Sequence, residues 1–158
     1  MTTSSNKAYL YLVKIISGRD YPESKLRQKL QEKKFQPEEI ELAINEIKAR
    51  GYLREDIYIE GRIRVFMEKG YSPSYIRHKL AEERLSVTDE EVEIVFNSHR
   101  LSPEVQIDRL IRKKLQGKIE FDYALKNKVL RFVLSKGHDF EDSKKIMKSI
   151  INETSVRD

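Results

Sequence analysis

Apolar residues recur along this chain at spacings of three and four rather than two, and the breaks between the runs are regularly marked. All four prolines, Pro22, Pro37, Pro73 and Pro103, stand where such a run would begin. Gly18, Gly51, Gly70, Gly117 and Gly137 stand where one would stop. Helix termini select this asymmetry. Proline gives up an N–H that had no intrahelical partner, and glycine accepts the left-handed conformation that closes a C-terminus. No segment alternates with period two, so the chain is expected to be all-α.

The first predicted helix covers about residues 7–17, with Tyr9, Leu12, Val13 and Ile16 on one face. The second, 22–34, carries Leu26 and Leu30 and is closed by Phe35. The third, 37–50, carries Ile40, Ile44 and Ile47, and the fourth, 54–69, Ile59, Ile63 and Phe66. Gly61 lies inside the fourth at about 1 kcal/mol against alanine, which suggests close helix approach. The fifth, 73–84, carries Ile76 and Leu80, with Leu85 after it. Thr88 and Glu91 form a capping box for a sixth with Val92, Val95 and Phe96. Ser102–Pro103 opens a seventh with Ile107, Leu110, Ile111 and Leu115. The eighth, 119–136, shows Leu125, Val129, Phe132 and Val133. Asp139 caps a ninth with Phe140, Ile146, Met147 and Ile150.

The chain also repeats. Shifted by 50 places, Val13, Ile16, Ser24, Leu26, Arg27, Lys29, Leu30 and Phe35 fall on Ile63, Phe66, Ser74, Ile76, Arg77, Lys79, Leu80 and Leu85. Lys69–Gly70–Tyr71 recurs as Lys136–Gly137–His138. We therefore expect three tandem three-helix repeats, 7–53, 54–101 and 102–151, stacked into an elongated, curved array, with loose ends at 1–6 and 152–158.

Composition narrows the chemistry. With no cysteine there is no disulfide, thiolate metal site or thiol nucleophile. His78, His99 and His138 lack metal-ligand spacing, and no phosphate loop, nucleophile elbow or H-E-x-x-H is present. Acidic pairs such as Glu38–Glu39 lie in first helical turns, where the dipole explains them. These absences point away from an enzyme, a metal site or a cofactor. No segment nears the roughly 20 apolar residues a membrane span needs, so a cytoplasmic protein is expected. The net charge of +5 is concentrated in residues 100–136, which suggests an anionic partner or simply a solvated helical surface.

Residues 62–85 hold the most distinctive stretch. A helix ends at Lys69–Gly70, Tyr71 can fold back onto Phe66, Ser72 can cap, and Pro73 opens a helix with Ile76, Arg77, Lys79 and Leu80. Upstream stand Gly51, Tyr52, Leu53, Glu55 and Tyr58. Together with Lys69, Gly70, Tyr71, Pro73, Ile76, Arg77 and Leu80, these residues resemble the RecX family, regulators of the RecA recombinase. The match departs at Arg54, Ile59 and Ser72, where an acidic residue, alanine and glycine are usual. The resemblance implies tandem three-helix repeats and a non-enzymatic protein that binds the RecA–single-stranded-DNA filament and modulates, usually inhibits, its recombination and ATP-dependent activities.

The candidate contacts are Arg62, Lys69, Arg77 and Lys79 around the corner and Arg109, Arg112 and Lys113 on the seventh helix, opposite its apolar stripe. Tyr71 can pack on Phe66 or stack on a base; the glycine before it favours packing. Arg77, which recurs as Arg27, can serve the repeat itself by pairing with a carboxylate. A stand-alone helical DNA- or RNA-binding module is the alternative, and a plain scaffold with solvated basic faces a third reading. A repeat stack of this size can be monomeric.

Overall fold

A computed structural model describes residues 3–118 and 120–156. Among them are nine α-helices and no strand: α1 (Thr3–Ile16), α2 (Glu23–Glu32), α3 (Pro37–Ala49), α4 (Glu55–Glu68), α5 (Pro73–Glu82), α6 (Asp89–Ser98), α7 (Pro103–Leu115), α8 (Tyr123–Ser135) and α9 (Phe140–Val156). The chain is all-α.

Local chemistry sets most of the boundaries. Thr88 Oγ1 accepts from the Glu91 N–H at 3.1 Å, Ser102 Oγ from Val105 at 3.2 Å, and Asp139 Oδ2 from Asp142 at 3.0 Å. Each satisfies a first-turn donor that has no intrahelical partner. Pro22 precedes α2 as its N-cap instead of opening it. α8 starts at Tyr123 rather than 119, because the Asp122 carboxylate takes the Leu125 N–H at 2.8 Å; Ile119 lies outside the described residues. α1 begins at Thr3 and α9 continues to Val156, so helix occupies positions read as loose ends, while residues 1, 2, 157 and 158 lie outside the described residues.

Helix C-termini divide into two kinds. Gly51, Gly70, Gly117 and Gly137 have positive φ as expected, whereas Gly18 does not. α2, α5 and α6 are instead followed by Lys34 (φ 65°), Arg84 (φ 62°) and Arg100 (φ 53°) in the left-handed region. The Phe35 N–H then reaches back to the Leu30 carbonyl at 3.2 Å, and Leu101 to Phe96 at 3.0 Å. No glycine marks these ends in the sequence. Lys34 and Arg84 nevertheless hold equivalent places in the 50-residue shift.

By contact the described residues form two compact units. Those up to Arg62, with Glu83–Leu85, form the first; Ile63–Glu82 and the residues from Ser86 onward form the second. In the first unit α3 packs on α1 and α2 around Leu12, Leu26, Leu30, Ile40, Ile44 and Ile47. Each such side chain withdrawn from water is worth about 1.5–3 kcal/mol. Tyr9, Val13 and Ile16, expected on the buried face of α1, are only half-buried, and Ala8 packs inside with Leu12. In the second unit α7, α8 and α9 enclose Ile107, Ile111, Val129, Val133, Met147 and Ile150. α5 packs on α6, with Ile76, Leu80, Val92 and Phe96 buried.

Two details depart from the apolar pattern. Phe140 is 46 % exposed, with the Lys144 ammonium 5.9 Å from its ring, while Ser143 is buried and bonded to the Asp139 carbonyl at 2.6 Å. Gly61 is not a point of close approach, since a Cβ there would meet no atom within 4 Å. With helical backbone and open space, alanine can only reduce the freedom of the unfolded chain. Gly61→Ala is therefore expected to stabilise the protein by about 0.5–1 kcal/mol. Gly70→Ala, strained at φ 90° and colliding with Leu110, should destabilise it; thermal unfolding of both variants measures the contrast.

Candidate functional site

The two lysine–glycine–aromatic corners meet inside the second unit. At the first, the Tyr71 N–H donates to the Phe66 carbonyl at 3.1 Å and the Gly70 N–H to Met67 at 3.0 Å. This is the double bond of a Schellman motif. The Tyr71 ring stands edge-on to Phe66, 5.7 Å between centroids. At the second corner His138 holds the place that Tyr71 holds at the first, without folding back on its own helix end. It instead turns its Nε2 to the carbonyl of Gly70, at 2.7 Å and with the ring buried. The Ser72 N–H donates to the Lys136 carbonyl at 3.0 Å. A Cβ on Gly137 would lie 2.6 Å from Ser72 Oγ and 2.7 Å from Tyr75 Cβ. Glycine is thus required at both corners twice over, by φ and by space.

Gln106, which the sequence reading missed, completes the joint. Buried on α7, it donates through Nε2 to the Met67 carbonyl at 3.1 Å and to Tyr71 at 2.8 Å. A lone glutamine inside an apolar stripe was its only signal. Tyr75 stacks on Tyr71 at 4.4 Å and the Lys136 ammonium stands 4.2 Å from the Tyr71 centroid. With its ring so covered, Tyr71 packs and offers no platform to a base. Pro73 starts α5, and Ile76 and Leu80 are fully buried. In the first unit, Gly51 closes α3, the Tyr52 N–H reaches the Ile47 carbonyl at 2.9 Å, and Leu53 packs on the core. The Tyr58 hydroxyl donates to Glu83 at 3.2 Å, and burial together with that carboxylate pushes its pKa up. These motif residues hold the fold.

The structure separates the seven candidate cations. Arg62 lies in the first unit, half-buried, with Nη2 3.3 Å from Glu83. Arg77 binds Asp89 at 2.7 Å and the Val87 carbonyl at 3.0 Å. Its repeat equivalent Arg27 likewise pairs, with Glu41 at 2.7 Å and Glu23 at 3.1 Å. Lys79 rests over the Tyr75 ring at 5.5 Å and near Glu82 at 3.5 Å, as Lys29 rests over Tyr21 at 5.2 Å. Arg112 is gripped by Asp108 at 2.8 Å and Glu153 at 2.7 Å, hydrogen bonds that hold its pKa above the ordinary value.

Lys69, Arg109 and Lys113 remain: exposed, and in no ion pair among the described residues. Arg109 and Lys113 stand four apart on α7 and so share one ridge. Arg109 also borders an open groove of about 360 Å³, lined in addition by Val105, Ile146 and Ile150. Lys114 and Lys136, absent from the candidates, lie over the Phe132 ring at 4.2 and 5.5 Å. Among the described residues no helix is long and apolar enough to cross a membrane, and no three His, Cys, Asp or Glu side chains are grouped to hold a metal ion.

Comparison with known proteins bears on what such a surface serves. Residues 8–46 match the family model of the RecX first three-helix domain. The regulatory protein RecX of Haemophilus influenzae (strain PittEE) is 29 % identical over 134 residues, 84 % of this chain and 88 % of the relative. That of Legionella pneumophila (strain Corby) is 26 % identical over 144 residues, 91 % and 95 % of the two chains. The fold resembles the crystal structure of RecX from Lactobacillus salivarius, with a TM-score of 0.73 at 18 % identity, covering 94 % of this chain and 97 % of that one.

The corner joint has a pH dependence. Burial lowers the His138 pKa below its usual 6.5, outweighing the Gly70 carbonyl and Glu104, which favour the charged ring. The unfolded chain therefore binds this proton more tightly than the folded one, and stability is expected to fall as pH drops below about 6.5, the unfolded value. Thermal unfolding between pH 7.5 and 5 should show this decline. His138→Gln, which can donate to Gly70 without titrating, should flatten it over that interval.

Proposed function

We propose that this chain, which is similar to RecX-family proteins, is a non-enzymatic regulator that binds the RecA–single-stranded-DNA filament and lowers its recombination and ATP-dependent activities. The relatives carry the name of a regulatory protein, which supports the regulatory role; the choice of RecA as partner comes from the family resemblance of the corner motif.

The observation that carries the contact surface is the ridge of Arg109 and Lys113. Three of the other candidate cations, Arg62, Arg77 and Arg112, are bound to carboxylates of this chain, so meeting an anionic partner would require breaking existing pairs. Arg109 and Lys113 carry no such obligation. Exposed charges of this kind speed encounter and fix orientation on an oppositely charged face. We take 7–53, 54–101 and 102–151 as the three repeat modules of a monomer acting in the cytoplasm. Weak contacts from successive modules to neighbouring protomers would favour filament over free RecA through avidity.

The test is the single-stranded-DNA-dependent ATPase of RecA, titrated with wild type and with Arg109→Glu/Lys113→Glu. Wild type should lower the rate, and the double variant should need about tenfold more protein, a loss near 1.4 kcal/mol, with helix content unchanged. Arg112 is kept, since reversing it would also break its pairs with Asp108 and Glu153. Wild-type potency in the double variant would remove this ridge from the interface. A rate unaffected by wild type, with salt-sensitive binding to naked nucleic acid, would favour the nucleic-acid module instead.

A further inference from the structure

Tyrosine rings in this protein are characteristically covered. Tyr9 lies beneath Arg50, Tyr11 beneath Lys33, Tyr21 between Arg19 and Lys29, Tyr71 beneath Lys136 and Tyr75 beneath Lys79, with cations 4.2–5.5 Å from the ring centroids. Tyr123 has no such cover. It opens α8 at 80 % exposure, against 44 % for Tyr52, and no hydrogen bond or ring contact engages it among the described residues. Burial in the fold does not explain an aromatic so placed.

The residues beside it have a consistent character. Tyr123, Asn127 and Arg131 follow one another at i, i+4 and i+8, a single ridge about 12 Å long. Lys128 stands alongside, and Val129 and Val133 on the opposite side are buried in the core. Lys128 and Arg131 are exposed and in no ion pair among the described residues. By contrast Arg27, Arg50, Arg54, Arg77 and Arg112 each hold a carboxylate. α8 contains no Asp or Glu that could supply a partner one turn away. The nearest acids in sequence precede the helix, and the carboxylate of one, Asp122, is occupied as the N-cap.

We propose that this face of α8 contacts a single-stranded polynucleotide directly, with Tyr123 stacking on a base and Lys128 and Arg131 meeting the phosphates. A ridge of cations without carboxylates complements a polyanion. An open aromatic face at its end adds what phosphate alone does not need, a surface for an unpaired base. A duplex keeps its bases stacked on one another and would leave Tyr123 without a partner. The proposal deepens the filament reading by assigning the DNA strand to α8, distinct from the Arg109–Lys113 ridge of α7. It can be tested without RecA, so failure of one reading leaves the other standing.

The chain has no tryptophan, so Tyr123→Trp places a single reporter at the stacking position. The full-length variant is titrated at low salt with oligo(dT), with a duplex of equal length and with inorganic polyphosphate. Saturable quenching by oligo(dT), but not by polyphosphate or duplex, is the expected result. In the tyrosine background, Tyr123→Ala should weaken oligo(dT) binding about fivefold or more, the scale of one lost stacking contact. Lys128→Ala/Arg131→Ala should reduce the slope of log affinity against log salt by about 1.4, roughly 0.7 for each phosphate contact. Equal quenching by all three ligands, no binding of oligo(dT), or unchanged affinity and salt slope in these variants would overturn the proposal.

Discussion

At Gly70 and Gly137 two helix ends come together, one closely packed on the Leu110 side chain and the other on Ser72 and Tyr75, and the second unit depends on that contact. The end of a helix leaves carbonyls without intrahelical partners, and in a buried place each must find a donor. Here the donors come from distant parts of the chain. Gln106 on α7 serves Met67 and Tyr71, His138 ahead of α9 serves Gly70, and the Ser72 N–H serves Lys136. Leaving such a group unmet costs about 1–3 kcal/mol. The joint therefore ties α4, α5, α7 and the turn between α8 and α9 into one packed arrangement.

That constraint changes how the family motif is understood. Tyr71, Pro73, Ile76, Leu80 and the corner glycines build the joint and the cores around it. Under the proposed function, contact with a partner would fall to residues whose electrostatics the fold leaves uncompensated. Arg27 and Arg77 illustrate the distinction: equivalent in the repeat, each is bound to a carboxylate within its own unit. Lys29 and Lys79 likewise lie over tyrosine rings. Repetition at these positions reflects the internal needs of a three-helix group. Arg109 and Lys113, outside the repeated set, have no such duty.

Most elements could be read from the chain because their causes are local. Pro37, Pro73 and Pro103 open helices, and Gly51, Gly70 and Gly137 follow helix ends, since neither effect needs a distant partner. Errors arose where a local signal was missing or ambiguous. Lys34, Arg84 and Arg100 adopt left-handed backbone without glycine, so those C-termini carried no mark. Asp122 captured the start of α8 from the apolar run before it. Gly61 resembled a packing glycine but faces open space. Of the candidate site, the basic positions on α7 were legible; that Arg112 is also bound by Glu153 was not, because Glu153 is 41 residues away.

By itself the sequence determined the all-α class, the order of the helices, nearly all of the fully buried aliphatic side chains and the family the chain resembles. Those properties follow from spacing along one strand of chain, where each residue meets its neighbours at fixed offsets. Only the tertiary structure decided that the two corners face each other, that Tyr71 is covered while Tyr123 is open, and which cations are already neutralised. Charge and exposure belong to pairs of residues brought together in space. A lysine or arginine reads identically in sequence whether it meets a carboxylate, an aromatic ring or water.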